Sequence, residues 1–395
     1  MKLSDKELGM DRSISRRDFL NGAAAVTAAT AMPGGAIAGG DESPRSVVVG
    51  YPPGRTGPRG SHPGSYEVAH ELAWQGRQDW GQVYDAHSDV YDLVVVGAGI
   101  SGLSAAYFYR KEHPDARILI LDNHDDFGGH AKRNEFEIDG RTIISYGGSQ
   151  ALEDPGSYSE VSNGLLGDLG VELKRFETAY DQQFFRRNGL AGATYFDSAT
   201  YGSDRLVDYS LVDYSVFLPI DTSSLDVKDA VAQMPLGENA RRELLQLLTA
   251  RGNHLTNIPA QEQEEYLRRL SYRDFLERHM GITDPEVFAL FQGLTADLSA
   301  SIEASPLGVM SYTGLPGLQA TALSDYNDDG EPYIFHFPDG NASVARLLVR
   351  SMIPRVAAGT TMDDIVLTKF DYSKLDEEDS SVRIRLNSTV VRVEH

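Results

Sequence analysis

Hydrophobic and polar positions fall into two regimes along this chain. Short, unbroken apolar runs occur early, at residues 92–96 (DLVVV) and 117–121 (RILIL), each the length of a buried parallel strand. Between them residues 100–113 read as a helix, with small Ser101, Ser104 and Ala105 allowing close packing on a sheet. Strand, helix, strand in this order predicts a parallel α/β unit. From about 155 to 350 the pattern becomes helical. ENARRELLQLLTA (238–250) and AQEQEEYLRRL (260–270) are amphipathic, and SYRDFLERHMG (271–281) opens on Ser271 and Asp274 at capping-box spacing and closes on Gly281. PDGNASVARLLVRSMIP (338–354) reads as a turn, a cap at Asn341 or Ser343, a helix and a proline stop. After 364 the pattern predicts strands, in DIVLTKFDY and VRIRLNSTVVRVEH, around an acidic KLDEEDSS hairpin turn (374–381). Residues 39–65 read as irregular and 66–80 as a short helix.

Glycine spacing gives the first strand and helix a chemistry. VVVGAGISGLSAAYFYR (94–110) places Gly97, Gly99 and Gly102 between the strand and the helix that includes Ile100 and Ser101. Gly97 permits the tight turn, Gly99 admits a pyrophosphate to the backbone, and Gly102 lets helix and strand pack closely. The helix N-terminus offers free N–H groups and partial positive charge to phosphates. Asp122 ends the second strand, followed by Asn123, where an acidic group meets a ribose hydroxyl. These features predict a dinucleotide site.

Composition narrows the partners. There are 36 basic and 58 acidic residues, a formal charge of −22, which argues against nucleic acid. It suits a solvated acidic surface and the steering of cationic ligands. With no cysteine, disulfides, thiolate catalysis, thiolate zinc, cysteine-ligated clusters and c-type haem are excluded. Residues 1–17 carry five basic and three acidic side chains, and Ser15-Arg16-Arg17-Asp18-Phe19-Leu20 resembles the twin-arginine export signal. The Ala-, Thr- and Gly-rich run that follows is too weakly apolar for a permanent membrane span, and Ala36-Ile37-Ala38 offers a cleavage site. Residues 1–38 thus read as a signal peptide and the protein as periplasmic or extracytoplasmic.

Further motifs carry a resemblance. Gly128-Gly129 with His130, then SYGGSQAL (145–152) with Tyr146, Gly147, Gly148, Ser149 and Gln150, then RLNSTVVRVEH with Val390, follow the glycine motif in order. Together they resemble the flavin amine oxidase superfamily. More of the chain, including RGSHPGSYEVAH, SYRDFLERHMG and PYIFHFPDGNASVARLLVR, looks like the bacterial spermidine dehydrogenases and their exported relatives. The resemblance implies a Rossmann-like α/β FAD-binding domain with a largely helical substrate domain inserted. The divisions are a signal peptide (1–38), an N-terminal extension (39–90), the first part of the FAD domain (91–160), a helical cap (161–355) and returning strands (356–395). It implies FAD along Gly97 to Gly102, Asp122, Asn123, Gly128, Gly129, His130, Gly147 to Ser149 and Val390. Tyr146, Gly148, Ser149 and Gln150 would face the flavin, and Glu153, Tyr326, Asp328 and Asp329 are candidates for the pocket lining. Asp122 replaces the usual Glu and His130 the usual Arg, which weakens the phosphate contact. A haem b is implied too, with His62 or His70, from a segment that also holds His87, as iron ligand. The expected activity is amine oxidation, with electrons passing to a downstream acceptor. A desaturase-like or porphyrinogen oxidase-like enzyme and a non-catalytic electron carrier are the alternatives. The family's late glycine motif finds no counterpart in 160–395, so the C-terminal part reads as missing.

Overall fold

The computed structural model describes residues 50–55, 66–81, 90–211, 225–295, 301–304, 307, 315–318 and 335–393. His62, His87, Tyr326, Asp328 and Asp329, and the signal peptide, lie outside these residues. The described chain folds as two units, one reaching Glu177 and resuming at Phe335, the other running from Thr178 to Ile334.

The first unit contains α1 (Glu67–Ala73), β1 (Leu93–Val96), α2 (Ile100–Glu112), β2 (Ile118–Leu121), β3 (Arg133–Ile138), β4 (Arg141–Tyr146), α3 (Glu160–Asp168), α4 (Ala342–Met352) and β5 (Val382–Arg385). Strands β1, β2 and β5 form a parallel sheet in that order, in register Leu93 to Ile118 and Ile118 to Val382. The β1–α2–β2 crossover is the predicted unit. Central β2 is buried, with Ile118 and Ile120 fully so. Strand β1 corrects the expectation of a fully buried strand: Val94 and Val96 are 49% and 61% exposed, because β1 is the edge of the described sheet.

Helix α4 buries nearly its whole length and packs on α2. Asn341 stands at its N-cap position, as expected, but not as a side-chain cap. Ser343 Oγ instead donates to buried Asp339 at 2.6 Å. Asp339, fully buried, also pairs with Arg133 at 3.0 Å. These contacts tie α4 to the hairpin β3–β4. Residues 342–352, read from sequence as cap, therefore belong with the dinucleotide unit, and the boundary at 355 is corrected.

The run at 364–372 also departs from expectation. It forms a helical turn (Asp364–Leu367) and a 3-10 turn (Tyr372–Lys374), not a strand. Asp364 prevents extension by accepting from the amides of Thr360 and Thr361 and from buried Arg350. Residues 374–381 consequently close no hairpin, and Asp376 ion-pairs with Arg383 and Arg385 of β5.

Burial pushes the Asp364 carboxyl up, but the Arg350, Thr361 and Thr360 hydrogen bonds outweigh it and hold it below the usual carboxylate range. The folded pKa lies under the unfolded one. Its stabilisation is therefore present above about pH 4 and is lost as pH falls through the folded value. Asp364→Asn should lower Tm at neutral pH, and the gap to the parent should close below about pH 4. Thermal melts across that range check this; a gap constant with pH would show that the carboxylate's charge is not what stabilises.

The second unit is mainly helical. Val227–Gln233, Glu238–Thr249, Ala260–Arg269 and Pro285–Thr295 surround a core that includes Leu244, Leu247, Tyr272, Phe275 and Phe291. Ser271 caps Tyr272–Phe275 by accepting from the Asp274 amide at 3.1 Å. Asp274 accepts from the Ser271 hydroxyl at 3.0 Å, where a full capping box would have it reach the backbone. The element then widens into a π-turn (Leu276–Met280) and ends on left-handed Gly281. Among the described residues no helix is long and apolar enough to cross a membrane.

Candidate dinucleotide site

The site begins where β1 ends. Gly97 has φ +100°, and its N–H donates to Leu121 O at 2.7 Å, which carries the β1–β2 ladder into the turn. Gly102 lies against that turn. A Cβ there would come 2.0 Å from Gly97 O, so only glycine fits. With Gly99 as N-cap and no side chain capping it, the first turn of α2, with Ile100 and Ser101, keeps its amides for a ligand.

Asp122 stands opposite, at the end of β2, and is buried. Oδ2 accepts from the Ala98 amide at 2.6 Å and Oδ1 from the His124 amide at 2.8 Å. Its carboxylate therefore braces the glycine turn. Each oxygen keeps a further lone pair for a ribose hydroxyl. Asn123 follows it, half-buried.

The second glycine pair packs directly on the first motif. Gly128 and Gly129 have φ of +100° and +61°, and Gly128 N donates to Ala98 O at 2.8 Å. Gly99 and Gly128 form a parallel bridge, and a Cβ on Gly129 would lie 3.2 Å from Gly99 Cα. Phe127, in the same loop, is buried against Phe370 and Tyr372. Tyr372 in turn donates to Asp126 at 2.6 Å. Arg55, from the N-terminal extension, pairs with buried Asp125 at 2.7 Å.

The third segment continues the seam. Gly148 N donates to His130 O at 2.9 Å, and a Cβ on Gly147 would come 2.8 Å from Lys132 O. The His130 side chain is exposed, so the position contributes its carbonyl here. Tyr146, 42% exposed, ends β4, and Ser149 and Gln150 follow it. The hairpin carrying them turns at Asp139-Gly140, both left-handed, a two-residue type I′ signal that the sequence reading passed over.

Two further sets of residues were not anticipated. The Asn341 amide donates to Ser149 Oγ and to Ala151 O, each at 2.9 Å. After β5, Asn387 N donates to His124 O at 2.8 Å and Ser388 N to Asp122 O at 2.7 Å. These two bring the chain that follows β5 to the Asp122 loop. The strand ends at Arg385, and half-buried Val390 lies five residues beyond it, in irregular chain. The NST sequence signals this turn, since Asn387 takes φ +51°.

Two of the remaining candidates lie among the described residues. Glu153 is exposed. His70 lies on α1, which buries no side chain, and its ring stacks on Trp74 with centroids 3.9 Å apart. Among the described residues no group of three or more His, Asp or Glu could hold a metal ion.

Residues 95–168 match the family described as NAD(P)-binding Rossmann-like domain, and residues 13–33 match the twin-arginine translocation signal sequence. Over 42 residues the chain is 55% identical to the thiamine thiazole synthase of Eremothecium gossypii, covering 11% of this chain and 13% of that enzyme. Putrescine oxidase bound to putrescine aligns at 18% identity and TM-score 0.30, over 66% of this chain and 49% of its own. A protein assigned as protoporphyrinogen oxidase from Exiguobacterium sp. 255-15 aligns at 18% and TM-score 0.35, over 75% and 52%. The chain spans about half the length of these solved structures. The N-terminal segment is a twin-arginine signal, which directs export out of the cytoplasm. The parallel β1–α2–β2 unit, its glycine turn and the braced Asp122 together form a Rossmann-like dinucleotide-binding domain.

Proposed function

We propose that this chain belongs to an exported FAD-dependent oxidoreductase that oxidises an amine, with a polyamine such as spermidine as substrate. The observation that carries the reading is the meeting of three ordered glycine segments, 97–102, 128–129 and 147–148, in one continuous seam. A nicotinamide dinucleotide needs the first of these. A third segment, extending toward Tyr146, Ser149 and Gln150, suits a larger ring system. The side-chain-free approach of Gly129 to Gly99 fits a diphosphate at the α2 N-terminus.

FAD, when bound, supplies the acceptor for two electrons from the carbon beside an amine. The chain's residues bind and orient. The α2 amides meet the diphosphate, Asp122 the ribose, and the Gly147–Gln150 segment the ring. The formal charge of −22 suits long-range attraction of a cationic substrate to the protein.

A haem b with His62 or His70 as ligand, passing electrons to a downstream acceptor, is the finer part of the reading. Among the described residues His70 is half-buried on α1, its ring stacked on Trp74, and no group of three or more His, Asp or Glu gathers there to hold a metal ion. The match to an NAD(P)-binding family favours a second reading, a nicotinamide cofactor in the same seam. Titration with FAD and with NADH separates the two, and anaerobic addition of spermidine to the FAD form tests the substrate. We expect FAD to bind more tightly and its visible absorption to bleach with spermidine. Preferential NADH binding would overturn the cofactor, and an unbleached flavin would overturn the substrate.

A further inference from the structure

The loop before α4 touches the proposed ring-side segment at several points. Gly340 (φ +61°) packs so tightly that a Cβ would come 2.4 Å from Ser149 O, 2.9 Å from Tyr146 Cβ and 3.1 Å from Gln150 Cα. Leu152 N donates to Phe335 O at 2.8 Å, and Asn341 N to Ser149 O at 3.1 Å. The Asn341 side chain adds its two bonds to Ser149 Oγ and Ala151 O. A main-chain carbonyl only accepts, so the atom facing Ala151 O is the amide nitrogen, and this fixes the orientation of the side chain. Its other atom, Oδ1, is buried without a hydrogen-bond partner. A buried acceptor in that state is destabilising until a donor reaches it.

Tertiary structure therefore gives Asn341 two tasks. Its side-chain nitrogen holds the Ser149 hydroxyl and the Ala151 carbonyl, on either side of Gln150. Its oxygen is buried without a donor beside the junction of the 335–341 loop with 149–151. Heterocyclic rings of redox cofactors carry N–H groups of this kind. We propose that Asn341 positions the cofactor ring, holding the Ser149–Ala151 segment through its nitrogen and accepting an N–H of the bound ring at Oδ1. This rests on the flavin reading of the site.

The test separates the ring from the rest of the cofactor. FAD and ADP-ribose, which lacks the ring, are titrated into the parent chain, Asn341→Ala and Asn341→Asp. The aspartate variant keeps the shape if the alanine variant fails to fold, but it turns a donor facing Ala151 O into an acceptor. The parent should bind FAD more tightly than ADP-ribose. Both variants should weaken FAD about tenfold or more and leave ADP-ribose within about twofold, which also reports an intact fold. The visible band of residual bound flavin should shift. Equal weakening of both ligands would show a structural role only and overturn the proposal, as would unchanged FAD affinity. A parent that binds ADP-ribose but gains nothing from the flavin ring would overturn the flavin reading itself.

Discussion

Gly102→Ala should unfold the dinucleotide unit, whereas Gly99→Val should leave it folded and unable to hold its cofactor. The two glycines are three residues apart and differ in what surrounds them. A Cβ on Gly102 would meet Gly97 O at 2.0 Å and Gly97 C at 3.1 Å, both backbone. That turn cannot retreat, because Gly97 N is bonded to Leu121 O and Ala98 N to Asp122. A clash held from both sides exceeds the about 1–3 kcal/mol of ordinary overpacking and approaches the about 5–15 kcal/mol that keeps a domain folded. At Gly99 the nearest atom to a new Cβ is Gly129 Cα at 3.9 Å, an ordinary contact, and φ is −71°. Valine is tolerated there, but its methyl groups would stand over the first amides of α2, where a diphosphate must come. FAD affinity should fall by about 100-fold or more, equivalent to about 2.7 kcal/mol. Thermal melts followed by circular dichroism, and flavin titration, distinguish the two. The site is misassigned if Gly99→Val takes up FAD as the parent does, and the packing argument fails if Gly102→Ala melts where the parent does.

The elements legible in the sequence were those with short-range causes. The glycine spacing, the apolar runs and the caps at Ser271 and Gly281 depend on neighbours within a few residues, and β1, α2, β2 and the 271–281 element formed where expected, the last widened into a π-turn. Errors arose where distant partners decide. Residues 364–367 look apolar enough for a strand, yet Asp364 is tied to Arg350, fourteen residues upstream on a helix. Asn341 reads as an N-cap because asparagine before a helix usually caps. Here its amide is drawn instead to Ser149 and Ala151, 192 and 190 residues earlier in the chain. Asn387 and Ser388 were missed for the same reason, since what they meet, the Asp122 loop, lies far away in sequence. The seam was therefore readable as a list of segments, and only the fold shows which side chains bridge them.

Replacing Arg16 and Arg17 together by Lys should retain the protein in the cytoplasm while changing no charge. The match over 13–33 makes this segment a twin-arginine signal, and that pathway carries proteins that have already folded. Recognition of paired guanidinium groups is geometric. Each presents five donors in a planar fork, which the compact ammonium of lysine cannot reproduce. A purely electrostatic leader would not distinguish the two, so loss of export in the lysine pair isolates the guanidinium requirement. Fractionation with an antibody to the folded domain measures it, and normal export of the double variant would remove the twin-arginine assignment. The two glycine variants extend the same measurement. Gly102→Ala should stay behind with an intact leader, because its dinucleotide unit does not fold. Gly99→Val folds but holds no cofactor, and its location shows which condition the exporter tests. Export of Gly99→Val alongside retention of Gly102→Ala would mean that a closed glycine seam is sufficient. Retention of both would mean that the cofactor itself completes the form that is passed across the membrane.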